Sequence, residues 1–215
     1  MDLIHPLVED YASIITSEED QLLKEINEAT YTEHAHPHML SGQVQGRFLS
    51  IFSQLTRPQN ILEIGTFTGY SALCLAEGLT ENGHLHTIEI REEDAKLSKQ
   101  NISKSALANK ITVHCGNALD IIPTLNVQWD IVFIDADKVS YQSYYDLLID
   151  RLSDNGCILA DNVLFHGQIF ENPIKGKNPK AIHTFNEYVK NDPRTETVLL
   201  TIRDGLLLIK KKKNA

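Results

Sequence analysis

The rhythm of apolar and polar positions changes near residue 57. Before it, apolar residues recur at helical spacing. TSEEDQLLKEINEAT sets Leu22, Leu23 and Ile26 on one face, behind Thr16 and Ser17 as candidate N-caps and an acidic first turn. SGQVQGRFLSIFSQL predicts a second helix with Val44, Phe48, Leu49, Phe52 and Leu55 on one face. Between them, TEHAHPHML is expected to be extended because of Pro37. After residue 57, short apolar runs alternate with helical stretches. NILEIG, HLHTIEI, ITVHCG, WDIVFIDA and GCILADN read as strands. YSALCLAEGL, EEDAKLSKQNISKSAL, ALDIIPTL, YQSYYDLLIDRL and AIHTFNEYVKN read as helices, and TETVLLTI with GLLLIKK as a closing antiparallel pair. This alternation predicts an α/β fold: a seven-stranded, mostly parallel sheet covered on both faces. A single domain over 1–215 is expected, with a helical cap at 1–56 and a Rossmann-like core at 57–215.

Composition adds only exclusions. The chain has 215 residues, 42% hydrophobic and 23% charged, as in an ordinary globular protein. No run approaches the ~18 apolar residues of a membrane helix. MDLIHPLVEDY has neither a basic n-region nor an apolar h-region, so no secretion signal is expected. Cys74, Cys115 and Cys157 are far apart in apolar runs, which suggests reduced, buried thiols in a cytoplasmic protein. The net charge of −9 argues against a general nucleic-acid binder. The basic run Lys210 to Lys213 reads as a solvated tail closing the last strand.

In a parallel sheet, ligands sit beyond the C-terminal strand ends, so the chemistry is sought there. EIGTFTGYS places Gly65 after one strand and Gly69 before a helix, with G-x-x-x-G spacing unlike the dinucleotide fingerprint. Glu63 ends a buried run, where an acid needs a cation or hydrogen-bond donors. Glu89, 24 residues past Gly65, suits a ribose hydroxyl pair; a surface acid opening the next helix is the alternative. Gly116 and Asn117 could approach an adenine edge or form an ordinary turn. Two acids with a glycine turn of this spacing point to an adenosine ligand without a pyrophosphate, which S-adenosylmethionine fits. FIDADK supplies Asp135, Asp137 and Lys138, and ILADN supplies Asp161 and Asn162. If their strands are neighbours, Asp135, Asp161 and Asn162 offer hard oxygen ligands suited to Mg²⁺, Ca²⁺ or Mn²⁺. The alternative is that these acids cap helices and pair with lysines.

MLSGQVQGRFLSIF, ILEIGTFTGYSAL, HTIEI, FIDADKVSYQSYY and LADNVLFHGQI, with the closing RDGLLLIKKK, resemble the cation-dependent O-methyltransferases of the caffeoyl-CoA and catechol O-methyltransferase type. The resemblance implies the Rossmann-like fold of S-adenosylmethionine-dependent methyltransferases with extra N-terminal helices. It implies metal ligation by Asp135, Asp161 and Asn162, Mg²⁺ foremost, and Lys138 as general base. The implied cofactor pocket comprises Met39, Ser41, Glu63, Gly65, Tyr70, Ser71, Glu89, Gly116, Ala118, Asp135 and Asp137. Within it, Glu89 holds the ribose, Ser71 and the Gly65 turn lie near the methionine part, and Ala118 lies near adenine. The implied acceptor is a small catechol such as caffeic acid, its CoA ester or a flavonoid, and a homodimer is expected, possibly through the N-terminal helices. The alternative acceptor is a hydroxylated uridine in tRNA; the net charge of −9 counts against it, while Lys175, Lys177, Lys180 and the Lys210 to Lys213 run leave it open. Thr201 and Ile202 depart from the family's proline-containing segment, and the N-terminus is shorter than in plant members; both bear on the acceptor. His34, His36 and His38 are read as a loop at the site mouth rather than a second metal site. The segment from Val163 to Lys180 is expected to cover the acceptor, with Phe165, Phe170 and Tyr31 as candidate stacking aromatics and His166 beside them.

Overall fold

A computed structural model describes residues 3–212; Lys213, the end of the basic run, lies outside them, as do Met1 and Asp2. Seven strands form one sheet: β1 Asn60–Ile64, β2 His84–Glu89, β3 Ile111–Cys115, β4 Trp129–Ile134, β5 Leu152–Asp161, β6 Thr195–Leu200 and β7 Leu206–Lys211. Their order is β3-β2-β1-β4-β5-β7-β6. The pairs among β1 to β5 are parallel, while β7 runs antiparallel to both β5 and β6. The chain moves outward from β1 to β3 and then returns to β4 on the other side of β1. Ligand crevices form at such a reversal, beyond the strand ends.

The buried strands are near-continuous apolar runs because helices cover both faces. Asp130 within WDIVFI is no exception. Its carboxylate accepts the backbone N–H groups of Gln59 and Asn60 at 2.8 and 2.9 Å and the Ser153 hydroxyl at 2.6 Å. One core half gathers Trp129, Tyr141, Tyr145 and Phe185; the other gathers Leu49, Leu75, Ile131 and Phe133.

The N-terminal part has three helices rather than two: α1 Pro6–Ile15, α2 Gln21–Glu33 and α3 Gly42–Thr56. Asp20 caps α2, accepting from Leu23 N at 2.8 Å. Thr16, expected to open that helix, instead closes α1 by bonding Ala12 O. The segment around Pro37 is not extended, because proline starts the 3₁₀ turn Pro37–Met39. The buried face of α3 also differs from the apolar face. Gln45, Gly46, Leu49, Ser50 and Ser53 are buried, whereas Leu55 is 80% exposed. The reason is close approach: α3 crosses α4 Tyr70–Ala76, where the Ser53 hydroxyl donates to Leu75 O at 2.5 Å and the Ser50 hydroxyl to Glu77.

The other helices are α5 Glu92–Ile102, α6 Ala118–Ile121, α7 Tyr141–Leu148 and α8 Lys177–Lys190. The first of these ends earlier than its pattern suggests, and α8 starts earlier, since Pro179 is tolerated in a first turn. Cys74 and Cys157 are buried, but Cys115, at the end of the edge strand β3, is exposed. Among the described residues no helix is long and apolar enough to cross a membrane.

Candidate active site

A cavity of about 670 Å³ opens beyond the C-terminal ends of the parallel strands. It exists because the backbone turns sharply after β1. Gly65 has φ +99°, and a Cβ there would sit 1.9 Å from Asp135 O. Only glycine lets the ends of β1 and β4 press together at this point. Gly69, φ +87°, then turns the chain into α4.

Thirteen of the residues expected at the site line this cavity. On the cofactor side these are Met39, Ser41, Gly65, Tyr70, Ser71, Glu89, Gly116, Ala118 and Asp137. On the acceptor side they are Asp135, Lys138, Asp161 and Asn162. Glu63 does not line it. It lies fully buried beneath the turn, accepting from the Ser71 hydroxyl at 2.6 Å and the Thr87 hydroxyl at 2.5 Å. Burial pushes its carboxyl up to about 8, only partly offset by those two donors. The hydroxyl of Tyr70 also points elsewhere, to Glu19 before α2 at 2.5 Å.

Glu89 is held by the backbone. Its carboxylate accepts from Phe67 N at 2.8 Å and Arg91 N at 3.0 Å, which fixes it at the cavity wall. Arg91 reaches back toward Glu89, pairs with Asp94 at 2.7 Å and lies over the Phe67 ring. His34 Nδ1 accepts from His36 N and its Nε2 faces Asp94 at 3.0 Å, so the histidine segment is tied to α5; His38 lines the cavity. Among the described residues no three His, Cys, Asp or Glu side chains are arranged to hold a metal. Asp137 accepts from the Tyr144 and Ser140 hydroxyls at 2.6 and 2.5 Å.

The acceptor side answers why an apolar strand ends in charge. Parallel pairing of β4 with β5 brings Asp135 beside Asp161 and Asn162. Asp161 is 1% exposed, and its carboxyl is pushed up to about 6, first by burial and next by the Asp135 charge. The two carboxylates therefore feel each other across one end of the cavity. Lys138 donates to Asp135 at 2.9 Å and to the Tyr141 hydroxyl at 2.7 Å, and that hydroxyl donates to Asp161 O at 2.9 Å. Burial, the largest single influence, pushes the Lys138 ammonium down, but Asp135, Tyr141 and Asp161 together outweigh it and the net shift is upward. Asn162 adopts φ +58°, a conformation asparagine tolerates better than most residues. The donor set of two carboxylates and one amide oxygen suits a hard divalent cation.

Three further groups at this site have no counterpart in the strand-end motifs. Tyr141 lies one turn past Lys138, Gln45 comes from α3, and Arg203 comes from the β6–β7 loop. Gln45 shares α3 with Gln43 and Gln54, and nothing in the sequence singles it out. Phe165 and His166 line the cavity, whereas Phe170 and Tyr31 are 64% and 59% exposed and do not.

Comparison with known proteins agrees with this geometry. A family model described as O-methyltransferase matches residues 13–212. A catechol O-methyltransferase of Niastella koreensis is 32% identical over 199 residues, covering 90% of this chain and 89% of the relative. Caffeoyl-CoA O-methyltransferase 2 of Petunia hybrida is 31% identical over 206 residues, covering 90% and 84%. Among solved structures, a Podospora anserina methyltransferase bound to SAH superposes with a TM-score of 0.88 at 28% identity, covering 96% and 94%. An O-methyltransferase from Bacillus cereus in complex with SAH gives 0.87 at 29%, covering 96% and 97%. The chain belongs to the O-methyltransferase family and has the fold of its S-adenosylmethionine-dependent enzymes.

Proposed function

We propose that this protein transfers a methyl group from S-adenosylmethionine to one hydroxyl of a catechol-type small molecule, with a divalent cation, Mg²⁺ foremost, held by Asp135, Asp161 and Asn162. The carrying observation is the pair of carboxylates at the ends of β4 and β5, one of them raised first by its own burial and next by the charge of the other. Lys138 and Arg203 offset this pair in part, and a divalent cation would offset the rest. The catechol and caffeoyl-CoA enzymes among the relatives support the acceptor class, and the SAH-bound structures support the cofactor.

S-adenosylmethionine brings a methyl group on a sulfonium, ready for in-line displacement by oxygen. Asp135, Asp161 and Asn162 would hold the divalent cation, which would supply acidification and orientation of a hydroxyl whose pKa is otherwise about 10. The chain's own residues do the rest. Glu89, fixed by two backbone N–H groups, presents its carboxylate to the ribose hydroxyls. Met39, Ser41, Ser71, Gly116, Ala118 and Asp137 form the remaining cofactor wall. Lys138, which lines the cavity beside Asp135, would take the proton of the acceptor hydroxyl. Its charge is sustained against burial by Asp135, Tyr141 and Asp161 together, so engaging the two carboxylates with a cation would favour the neutral amine a base requires. Holding both reactants in line contributes several kcal/mol, up to roughly 7–11. The helical cap of residues 1–56 covers this site and lends it Met39 and Ser41, and the core from residue 57 onward builds the rest, in one catalytic unit that acts as a cytoplasmic homodimer.

The test is a methylation assay over catechols, caffeoyl-type CoA esters and tRNA, with and without EDTA. Asp135→Ala and Asp161→Ala should each lose roughly 100-fold or more in turnover while keeping the wild-type circular dichroism spectrum. Undiminished turnover in excess EDTA overturns the metal reading. Label incorporated only into tRNA overturns the small-molecule acceptor.

A further inference from the structure

Asp161 is held by residues that come from outside the parallel core. Its Oδ1 accepts the N–H of Asn162 at 2.9 Å. Its Oδ2 accepts from the side-chain amide of Gln45 at 2.8 Å. Gln45 is fully buried in α3, 116 residues away in sequence. A buried glutamine amide has two faces, one donating and one accepting, and can be inserted either way round. Inserted the wrong way, its carbonyl oxygen would face the Asp161 carboxylate. What selects the orientation is Arg203. A guanidinium only donates, and Arg203 Nη1 donates to Gln45 Oε1 at 3.0 Å and to Ser41 O at 2.7 Å. The carbonyl of Gln45 is therefore turned to Arg203 and its NH₂ to Asp161. Arg203 itself sits at φ +49° in the β6–β7 loop, a left-handed conformation that a non-glycine residue adopts at a cost.

We infer that Arg203 and Gln45 are positioning residues for the cation site: Arg203 sets the orientation of the Gln45 amide, and Gln45 holds the Asp161 carboxylate aimed into the cavity. This rests on the reading of Asp161 as a cation ligand. The same guanidinium grips Ser41 at the cofactor wall, so a single side chain ties both halves of the cavity to the β6–β7 loop.

The sign of the effect separates this role from simple electrostatics. A cation placed beside a bound metal ion repels it, so deleting Arg203 for charge reasons alone would tighten metal binding. Deleting a residue that orients a ligand weakens it, typically by about 10- to 100-fold. The experiment is isothermal titration of Mn²⁺ into the cofactor-free protein, with thermal melting to verify folding of each variant. Arg203→Met should weaken Mn²⁺ binding about tenfold or more, and Gln45→Leu should weaken it similarly. In the Gln45→Leu background, adding Arg203→Met should weaken it no further. Unchanged or tighter binding in Arg203→Met overturns the proposal, as does a full second loss in the double variant. If Gln45→Leu fails to melt cooperatively, the partly exposed Arg203→Met decides alone. Asp161→Asn is the control: if it binds Mn²⁺ like wild type, the cation reading fails rather than the positioning role.

Discussion

Glu63 and Asp161 are both buried carboxyls at strand ends, yet their surroundings separate their roles. Asp161 faces a second carboxylate in an open cavity, which is the setting for a cation. Glu63 lies outside the cavity lining, bonded by the Ser71 and Thr87 hydroxyls, and its proton takes the place of a counter-charge. Its folded-state value of about 8 lies above its ordinary 4.5. Between those two values the folded protein holds a proton that the unfolded chain has released, so stability falls as pH rises through that window. Glu63→Gln should remove this slope, which is at most about 1.4 kcal/mol per pH unit. Denaturant midpoints of the two proteins at pH 5 and pH 8 measure it. Relative to wild type, the variant should be more stable at pH 8 than at pH 5, and parallel pH profiles would contradict the assignment. The sequence shows an acid in both places. Only the packing shows which acid meets a cavity.

At the scale of elements, the contact between α3 and α4 decides whether Gln45 reaches the site. Gly46 sits in the middle of α3, where alanine would favour the helix by about 1 kcal/mol. A Cβ at this position would meet the Tyr70 ring at 2.7 Å and the Cys74 sulfur at 3.1 Å. That ring is buried and its hydroxyl is tied to Glu19, so it cannot swing away cheaply. Overpacking of this kind costs about 1–3 kcal/mol and outweighs the helix preference. Gly46→Ala is therefore expected to lower the thermal midpoint despite the better helix former, and to lower activity by lifting Gln45 from Asp161. A raised midpoint would show that the helices have slack. The periodicity of α3 foretold a helix but selected the wrong face, because its buried side is built from small and polar residues that allow close approach. Strands were easier to foresee. A strand buried on both faces is largely apolar, as β1 and β4 are, although the fully buried helix α4 shares that pattern.

Among the described residues, α1 is the most exposed α-helix of the whole molecule, resting lightly on α3. In α1 no residue is buried; Leu7, Tyr11 and Ile14 are 71%, 66% and 78% exposed. The helix is fastened to the body partly by Gln43, whose amide donates to Thr16 O and Ser17 O. Apolar surface gathered on one exposed helix marks an association face. Light scattering should give twice the 24.2 kDa of one chain, and Leu7→Glu with Ile14→Glu should shift it to a monomer that keeps its melting midpoint. A wild-type protein that elutes as a monomer at micromolar concentration would remove the expectation.

What the amino-acid sequence determined by itself is local: alternating strands and helices, the glycine turn after β1, and the charged residues placed at strand ends. Those follow from nearest neighbours, burial period and backbone sterics, all of which are written in order along the chain. What tertiary structure alone decided is which distant groups meet: Glu63 sealed away from the cavity, Tyr70 turned to Glu19, and Gln45 and Arg203 brought to Asp161. Such meetings depend on how closely two elements pack and on which face each turns inward. That is a property of pairs of surfaces, which no single stretch of sequence carries.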